Sequence, residues 1–327
     1  MKIAVIEKEH IVVKNVDKII LDDRKGAIVK VLGCGLCGSD IVKFREHISK
    51  DGTVLGHEIV AEIVEINSDT KFKTGEKIVT SHHIPCGTCD YCRHGNVSMC
   101  KHFKSTNIRP GGFSEYVYLS EEHLQNVAHP MPENLSEIEA SFYEPLGCCV
   151  RAVKRAKLMD GSKVLVVGLG SIGILMSQAL KAYGMNVMGC DLIQDRIERL
   201  QNLGIDAVDS RDLEQAELFD AVFMTSGADK AIDVALKTIK SGGTILVFSS
   251  TPHNTGYPNN EIYYRELTVL GSYSPAPVDL KDSLELLRTG KVNVKDLSTI
   301  YSLDDIQKAF DDTIANRIMK AYIKIKD

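Results

Sequence analysis

Residues 163–184 read KVLVVGLGSIGILMSQALKAYG. The apolar run Val164–Val167 is too short for a helix and rich in valine, which predicts a strand buried on both faces. The segment SIGILMSQALKAYG predicts a helix, and the glycines between them, Gly168, Gly170 and Gly173, spell G-x-G-x-x-G. In that context each glycine has its own task. The first makes a tight turn, the second lets a pyrophosphate approach the backbone at a helix N-terminus, and the third packs helix on strand. Ser171 and Ile172, inside the motif, join the three glycines as candidate cofactor-binding residues. Asp191 ends the next strand, NVMGCD, about 20 residues on, where a carboxylate can bind the adenosine ribose hydroxyls. An acid there would repel a 2'-phosphate, which favours NAD over NADP. The alternative is a glycine turn in another kind of doubly wound domain, with Asp191 capping a helix. Arg196, in the following helix QDRIERLQNLG, either lies against an adenine or is a solvated helix charge.

Working outward, the strands AVFMTS, GTILVFSS and ELTVLGSY continue the pattern, with ADKAIDVALKTIK as a helix between the first two. Alternating strand and helix predicts a parallel sheet with right-handed crossovers. Before it, LSEIEASFYEPLGCCVRAVKRAKL predicts a helix interrupted or kinked at Pro145. Up to about residue 130 the texture is β-rich: KGAIVKVLGCG, TVLGHEIVAEIVEI, EKIVTSHH and GFSEYVYLS, with HEIVAEIVEI alternating as a half-buried strand should. The tail predicts two helices, DSLELLRTG and LDDIQKAFDDTIA, and a last strand, KAYIKIK.

The chain has 327 residues, 44% hydrophobic and 25% charged, a soluble globular mix long enough for two domains. A net charge of -5 without a basic run argues against a nucleic-acid partner. The start, MKIAVIEKEHIVVKN, lacks the pattern of a signal peptide. The apolar stretch Val164–Leu180 is broken by three glycines, two serines and a glutamine, so it reads as buried strand and helix rather than a membrane span. Cytosol is the expected compartment, where thiols stay reduced.

Nine cysteines, an odd number, make a disulfide framework a poor reading. Four of them, Cys86, Cys89, Cys92 and Cys100, fall within PCGTCDYCRHGNVSMC, residues 85–100. Four thiolates close a zinc coordination sphere and leave no place for a substrate; a redox pair is the rival. Elsewhere GLCGSD supplies Cys37, and GHE supplies His57 and Glu58. Thiolate, imidazole and carboxylate are zinc ligand types, and three protein ligands leave one position open. The alternative is a small buried cysteine and the start of a strand. Neighbours on a strand point to opposite faces, so His57 and Glu58 reach one ion only if the turn after Gly56 bends.

GLCGSD, GHE, the C-x2-C-x2-C-x7-C run and GLGSIG, in this order, resemble the zinc-dependent medium-chain dehydrogenases, and the resemblance covers nearly the whole chain. It implies an α/β protein: a GroES-like, β-rich catalytic domain from residues 1–144 and 277–327, with a structural zinc lobe at about 85–101, around a doubly wound Rossmann NAD-binding domain at 145–276. It implies two zinc ions per chain: a structural one on Cys86, Cys89, Cys92 and Cys100, and a catalytic one on Cys37, His57 and Glu58. Within the family the sorbitol and threonine dehydrogenase branch is the nearer match. There a glutamate before a proline, here Glu144 in YEPLGC, binds the catalytic zinc directly or through its water; Cys148 and Cys149 are the rival ligands. The implied reaction is hydride transfer between a secondary alcohol and NAD, with Ser39 taking the alcohol proton. The chain departs from the pattern where the relay histidine would stand, at Val42, leaving His47 or water as the exit. It also has Lys43 and Ser274 where sorbitol dehydrogenases have tyrosine and arginine. The expected substrate is therefore another polyol, a cyclitol or a sugar derivative. Threonine oxidation and a non-catalytic NAD and zinc sensor are the alternatives. The family also implies a homodimer or homotetramer and no membrane partner.

Overall fold

The valine-rich run preceding the glycines forms the strand Lys163–Val167, whose residues Val164 to Val166 are wholly buried. In this computed structural model, which describes residues 1–213, 218–250 and 256–325, it lies inside a six-stranded sheet. The spatial order is Asp206–Asp209, Asn186–Asp191, Lys163–Val167, Phe219–Met224, Ile239–Val247 and Thr268–Gly271, with every neighbour parallel. Numbered along the chain this order is 3-2-1-4-5-6, so the topology reverses beside Lys163–Val167, and the glycine loop leaves from the carboxyl end of that strand. Asp206–Asp209 is a strand the sequence did not announce. It has four residues, two of them aspartates, and its backbone pairing to Met188–Asp191 defines it.

Contact density divides the chain into two units. Leu146–Pro275 and Thr289–Asn293 form the unit with the parallel sheet; Met1–Pro145, Ala276–Arg288 and Val294–Asp327 form the other. The second unit is built on the strand Gly26–Gly35. One of its edges pairs antiparallel with Glu58–Asn67 along its length; the other pairs with Tyr116–Ser120 near its start and Lys320–Lys324 near its end. Lys77–Thr80 and Ala128–Pro130 extend the sheet on one side, and Ser298–Ser302 on the other. Residues from both ends of the chain therefore share one core, with Val29, Ile59, Ile63, Ile78, Phe113, Phe310 and Ile323 buried in it. Lys2–Glu7 and His10–Asn15 form a separate hairpin.

Two local expectations are corrected. The alternation expected along Glu58–Asn67 begins only at Glu62; Glu58 to Ala61 are buried whichever way they point, so both faces of this end of the strand are covered. Pro145 does not kink a helix. The helical stretch is two helices, Glu137–Ala140 and Tyr143–Ala156, and Pro145 lies in the first turn of the second, where a missing N–H breaks no bond. The first of them opens with a capping box: Glu139 N donates to Ser136 Oγ at 3.2 Å, and Ser136 N donates to the Glu139 carboxylate at 2.9 Å. Among the described residues no helix is long and apolar enough to cross a membrane; the apolar stretch is strand and helix.

Candidate active site and metal centres

Cys37 follows the central strand and caps the helix Gly38–Arg45. Ser39 N donates to its Sγ at 3.5 Å, and its own N donates to Asp40 Oδ2 at 3.2 Å. This capping box fixes the sulfur at the helix N-terminus. The chain returns through Gly56, at φ +89, where a Cβ would lie 2.9 Å from Phe113 N and 3.0 Å from Cys34 Sγ. Glu58 is the first strand residue and His57 lies just before it, so these neighbours need not point apart. Ligand atoms of Cys37, His57 and Glu58 all come within 4.8 Å of one another.

Asp40, wholly buried, places Oδ1 3.4 Å from His57 Nδ1 and accepts Gly56 N–H at 3.3 Å. It occupies Nδ1, which leaves Nε2 as the nitrogen open to a metal. Burial opposes charge on both groups, but each offsets that cost for the other. The His57 pKa stands well above the ordinary imidazole value and that of Asp40 below the ordinary carboxylate value. Asp40 was not singled out from the sequence; its signal was the capping-box spacing Cys37-x-x-Asp40.

Glu58 is buried against Lys320, whose Nζ lies 2.5 Å from its Oε2 and 3.3 Å from Leu36 O, to which it donates. Burial works against charge on Lys320, but the Glu58 carboxylate, the Cys37 sulfur and Glu144 together raise its pKa. Glu58 Oε1 is buried without a hydrogen-bond partner. A sulfur, an imidazole nitrogen and an orphaned carboxylate oxygen converging in the protein interior fit zinc.

Glu144, buried in the first turn of Tyr143–Ala156, falls in a neighbouring group, with His57 and His82, whose ligand atoms also lie within 4.8 Å of one another. His82 was quoted in the sequence but given no role. Its ring packs against His57 and His83, with centroids 4.4 and 3.9 Å away and planes tilted by 46° and 44°, and burial holds its pKa well below the ordinary value. Cys148 and Cys149 join no metal-competent group among the described residues. Ser39 and Val42 are exposed on the helix Gly38–Arg45, and His47 is exposed beyond its end. Lys43, half-buried one turn after Ser39, exerts its positive charge on Asp40, His82 and His83.

Cys86, Cys89, Cys92 and Cys100 bring their sulfurs within 4.8 Å of one another, and none of the nine cysteines is in a disulfide. Cys89 N donates to Cys86 Sγ at 3.3 Å and Cys86 N to Cys100 Sγ at 3.5 Å. Backbone amides, that of Thr88 foremost, lower the Cys86 pKa to about 5, which favours the thiolate a metal requires.

In the other unit, the three motif glycines meet three different surroundings. Gly168 adopts φ +93, and a Cβ on it would lie 2.7 Å from Ser226 Cβ. A Cβ on Gly173 would lie 1.9 Å from Gly168 O, whereas one on Gly170, the N-cap of the helix Ser171–Ala182, meets nothing within 4 Å. The first and third glycines are thus required by packing, and open space lies over the second, where a pyrophosphate would approach. Ser171 and Ile172 form the first turn of that helix, and Cys149 Sγ donates to Ile172 O at 4.0 Å. Asp191 Oδ2 accepts Leu169 N–H at 2.6 Å, and Oδ1 accepts Leu192 and Ile193 N–H at 2.7 and 3.0 Å. Arg196 places Nη1 3.5 Å from Asp191 Oδ2, so it is no free solvated charge.

Residues 23–132 match the alcohol dehydrogenase GroES-like domain, and residues 171–289 match the zinc-binding dehydrogenase domain. Sorbitol dehydrogenase 2 of Saccharomyces cerevisiae is 32% identical over 308 residues, covering 86% of this chain and 85% of that one. D-arabitol-phosphate dehydrogenase of Enterococcus avium is 30% identical over 324 residues, covering 93% and 90%. A Sinorhizobium meliloti structure described as a zinc-binding dehydrogenase bound to NADP superimposes with a TM-score of 0.88 at 25% identity, over 99% of both chains. The GroES-like β unit, the doubly wound sheet with its glycine loop, and these likenesses lead to one conclusion: the chain belongs to the zinc-dependent medium-chain alcohol dehydrogenase family.

Proposed function

We propose that the protein transfers hydride between a secondary alcohol of the polyol, cyclitol or sugar-derivative class and NAD. The observation that carries this reading is the trio of half-buried Cys37 and buried His57 and Glu58, in a chain that also holds the dinucleotide fingerprint. Zinc on the trio supplies a charge that lowers the pKa of the substrate hydroxyl, and NAD supplies the hydride acceptor. The chain's own residues orient and protect that chemistry. Asp40 fixes the His57 ring, and Lys320 holds the Glu58 carboxylate. Ser39, two residues after Cys37 and exposed, takes the alcohol proton. Val42 cannot relay it and His47 lies beyond the helix, so the proton passes to water. Cys86, Cys89, Cys92 and Cys100 hold the structural zinc.

The polyol class is supported by the sorbitol and arabitol-phosphate dehydrogenases among the relatives. Lys43 favours a phosphorylated polyol as the second reading, because its charge reaches the residues around the trio. The test is NADH formation by zinc-replete protein across polyols, polyol phosphates, cyclitols, sugars and threonine. Turnover of a polyol or its phosphate is expected. Turnover of threonine alone, or NAD binding with no turnover, would replace this reading by one of the two alternatives.

A preference for NAD is supported by Asp191, an acid ending the strand after the glycine loop, where a carboxylate opposes a 2'-phosphate. Asp191→Ala is expected to weaken NAD binding and narrow the gap to NADP, measured as kcat/KM for each. It also removes three backbone hydrogen bonds to a charged acceptor, each contributing about 1.5–3 kcal/mol, so thermal stability drops as well. Equal use of both cofactors by the wild type would contradict the assignment. Glu144→Gln keeps the side chain's shape but removes a negative charge beside the trio. Turnover is expected to fall at least about tenfold, with NAD affinity little changed; wild-type turnover with full zinc would remove Glu144 from the site.

A homodimer is supported by the sheet edge Thr268–Gly271, whose Thr268, Val269 and Gly271 are exposed, an unpaired ladder that a second copy would cover. Light scattering on the purified protein tests it. The cytosolic reading is supported by nine cysteines that form no disulfide.

A further inference from the structure

We propose that His57, His82 and Glu144 form a second divalent-metal position, which shares His57 with the Cys37–His57–Glu58 trio and exchanges the sulfur and Glu58 for His82 and Glu144. This inference rests on the reading of the trio as a zinc site. Three observations carry it. First, the ligand atoms of His57, His82 and Glu144 lie within 4.8 Å of one another, and all three residues are buried. Second, His82 is only 8% exposed, yet its Nδ1 is buried with no hydrogen-bond partner. Such a nitrogen is costly to leave unmatched, and a cation satisfies it. Third, the His82 ring is held in place. It packs in tilted contact against both His57 and His83, and the residue's backbone carbonyl oxygen lies 3.1 Å from His123 Nε2, which donates to it.

The two positions exclude each other. Asp40 occupies His57 Nδ1, so His57 has a single nitrogen to offer. An ion on the trio binds sulfur, nitrogen and oxygen; an ion at the second position binds two nitrogens and an oxygen. The thiolate set selects zinc, while the nitrogen and oxygen set accepts harder divalent cations as well. Loss of Cys37 is therefore expected to move the ion rather than expel it.

The test counts zinc after dialysis and measures affinity by chelator competition in five proteins: wild type, Cys37→Ala, His82→Phe, and Cys37→Ala combined with either His82→Phe or Glu144→Gln. Phenylalanine keeps a ring in the histidine cluster. Wild type is expected to hold two ions, one of them in the four-cysteine lobe. Cys37→Ala is expected to hold two, one less tightly. Adding His82→Phe is expected to weaken that second ion at least about a hundredfold, the upper end of what outer-shell partners contribute. Adding Glu144→Gln to Cys37→Ala instead is expected to do the same, which secures the result should the phenylalanine variant misfold. The retained lobe ion and NAD binding report folding in every variant. A single ion in Cys37→Ala would overturn the second position while leaving the trio intact. Equal affinity with and without His82 would overturn its role. A wild type holding only the lobe ion would remove the trio reading and this inference together.

Discussion

Cys100→Ser is expected to release one of two zinc ions and to unfold residues 86–100 locally. Cys100 is the buried member of the four, and its sulfur accepts the Cys86 amide. The segment around it has almost nothing else to hold it. Its regular structure is the four-residue helix Asp90–Arg93 and the three-residue turn Val97–Met99, and its larger apolar side chains, Tyr91 and Met99, are 51% and 38% exposed. With so little apolar area buried, the metal must supply the folding free energy. Structural zinc contributes about 10 kcal/mol or more in isolated finger peptides, an upper bound for a lobe tethered at both ends. The expected readings are a fall from two zinc ions to one per chain and rapid proteolysis between residues 86 and 100. Wild-type protein whose four thiols react freely at saturating zinc would contradict the assignment.

Glu58→Gln is expected to cost about 3–5 kcal/mol, because it leaves Lys320 charged, buried and without its counter-ion. Lys320 is 4% exposed, and its other recorded polar contact is the Leu36 carbonyl oxygen at 3.3 Å. The melting temperature is expected to fall by about 5–10 °C. Lys320→Met in the same protein should recover most of the loss, since an apolar side chain has no charge to strand. The pH dependence follows from the raised Lys320 pKa. Its contribution is fully present below the unfolded-state lysine value and is lost as pH rises through the folded value. The gap in stability between wild type and variant should therefore narrow at alkaline pH, where wild type loses this contribution and the stranded lysine of the variant is neutralised. A melting temperature within about 1 °C of wild type would show that the pair is not coupled.

These two sites also show where the sequence speaks and where it is silent. The parallel sheet was legible because its signals are local: a valine run, three glycines at fixed spacing, an acid ending the next strand. The four-cysteine run and the Cys37 and GHE motifs were legible for the same reason. Asp206–Asp209 was not, because four residues with two aspartates become a strand only through the neighbour they pair with. Glu58 read as a zinc ligand, and nothing nearby announced that it also has a partner near the other end of the chain, at Lys320. His82 looked like one of two adjacent histidines ending a strand; only the sheet's return past His57 gives it neighbours that matter. Asp40 was hidden by being one position of a motif read for its cysteine.

In the proposed reaction, catalysis depends on zinc held by Cys37, His57 and Glu58. The most direct measurement is NADH formation from the best polyol substrate as zinc is returned to chelator-stripped protein that keeps its lobe ion. The account predicts no turnover at one zinc per chain and a linear rise to full turnover at two. Full turnover at one zinc per chain, with that ion in the four-cysteine lobe, would contradict it.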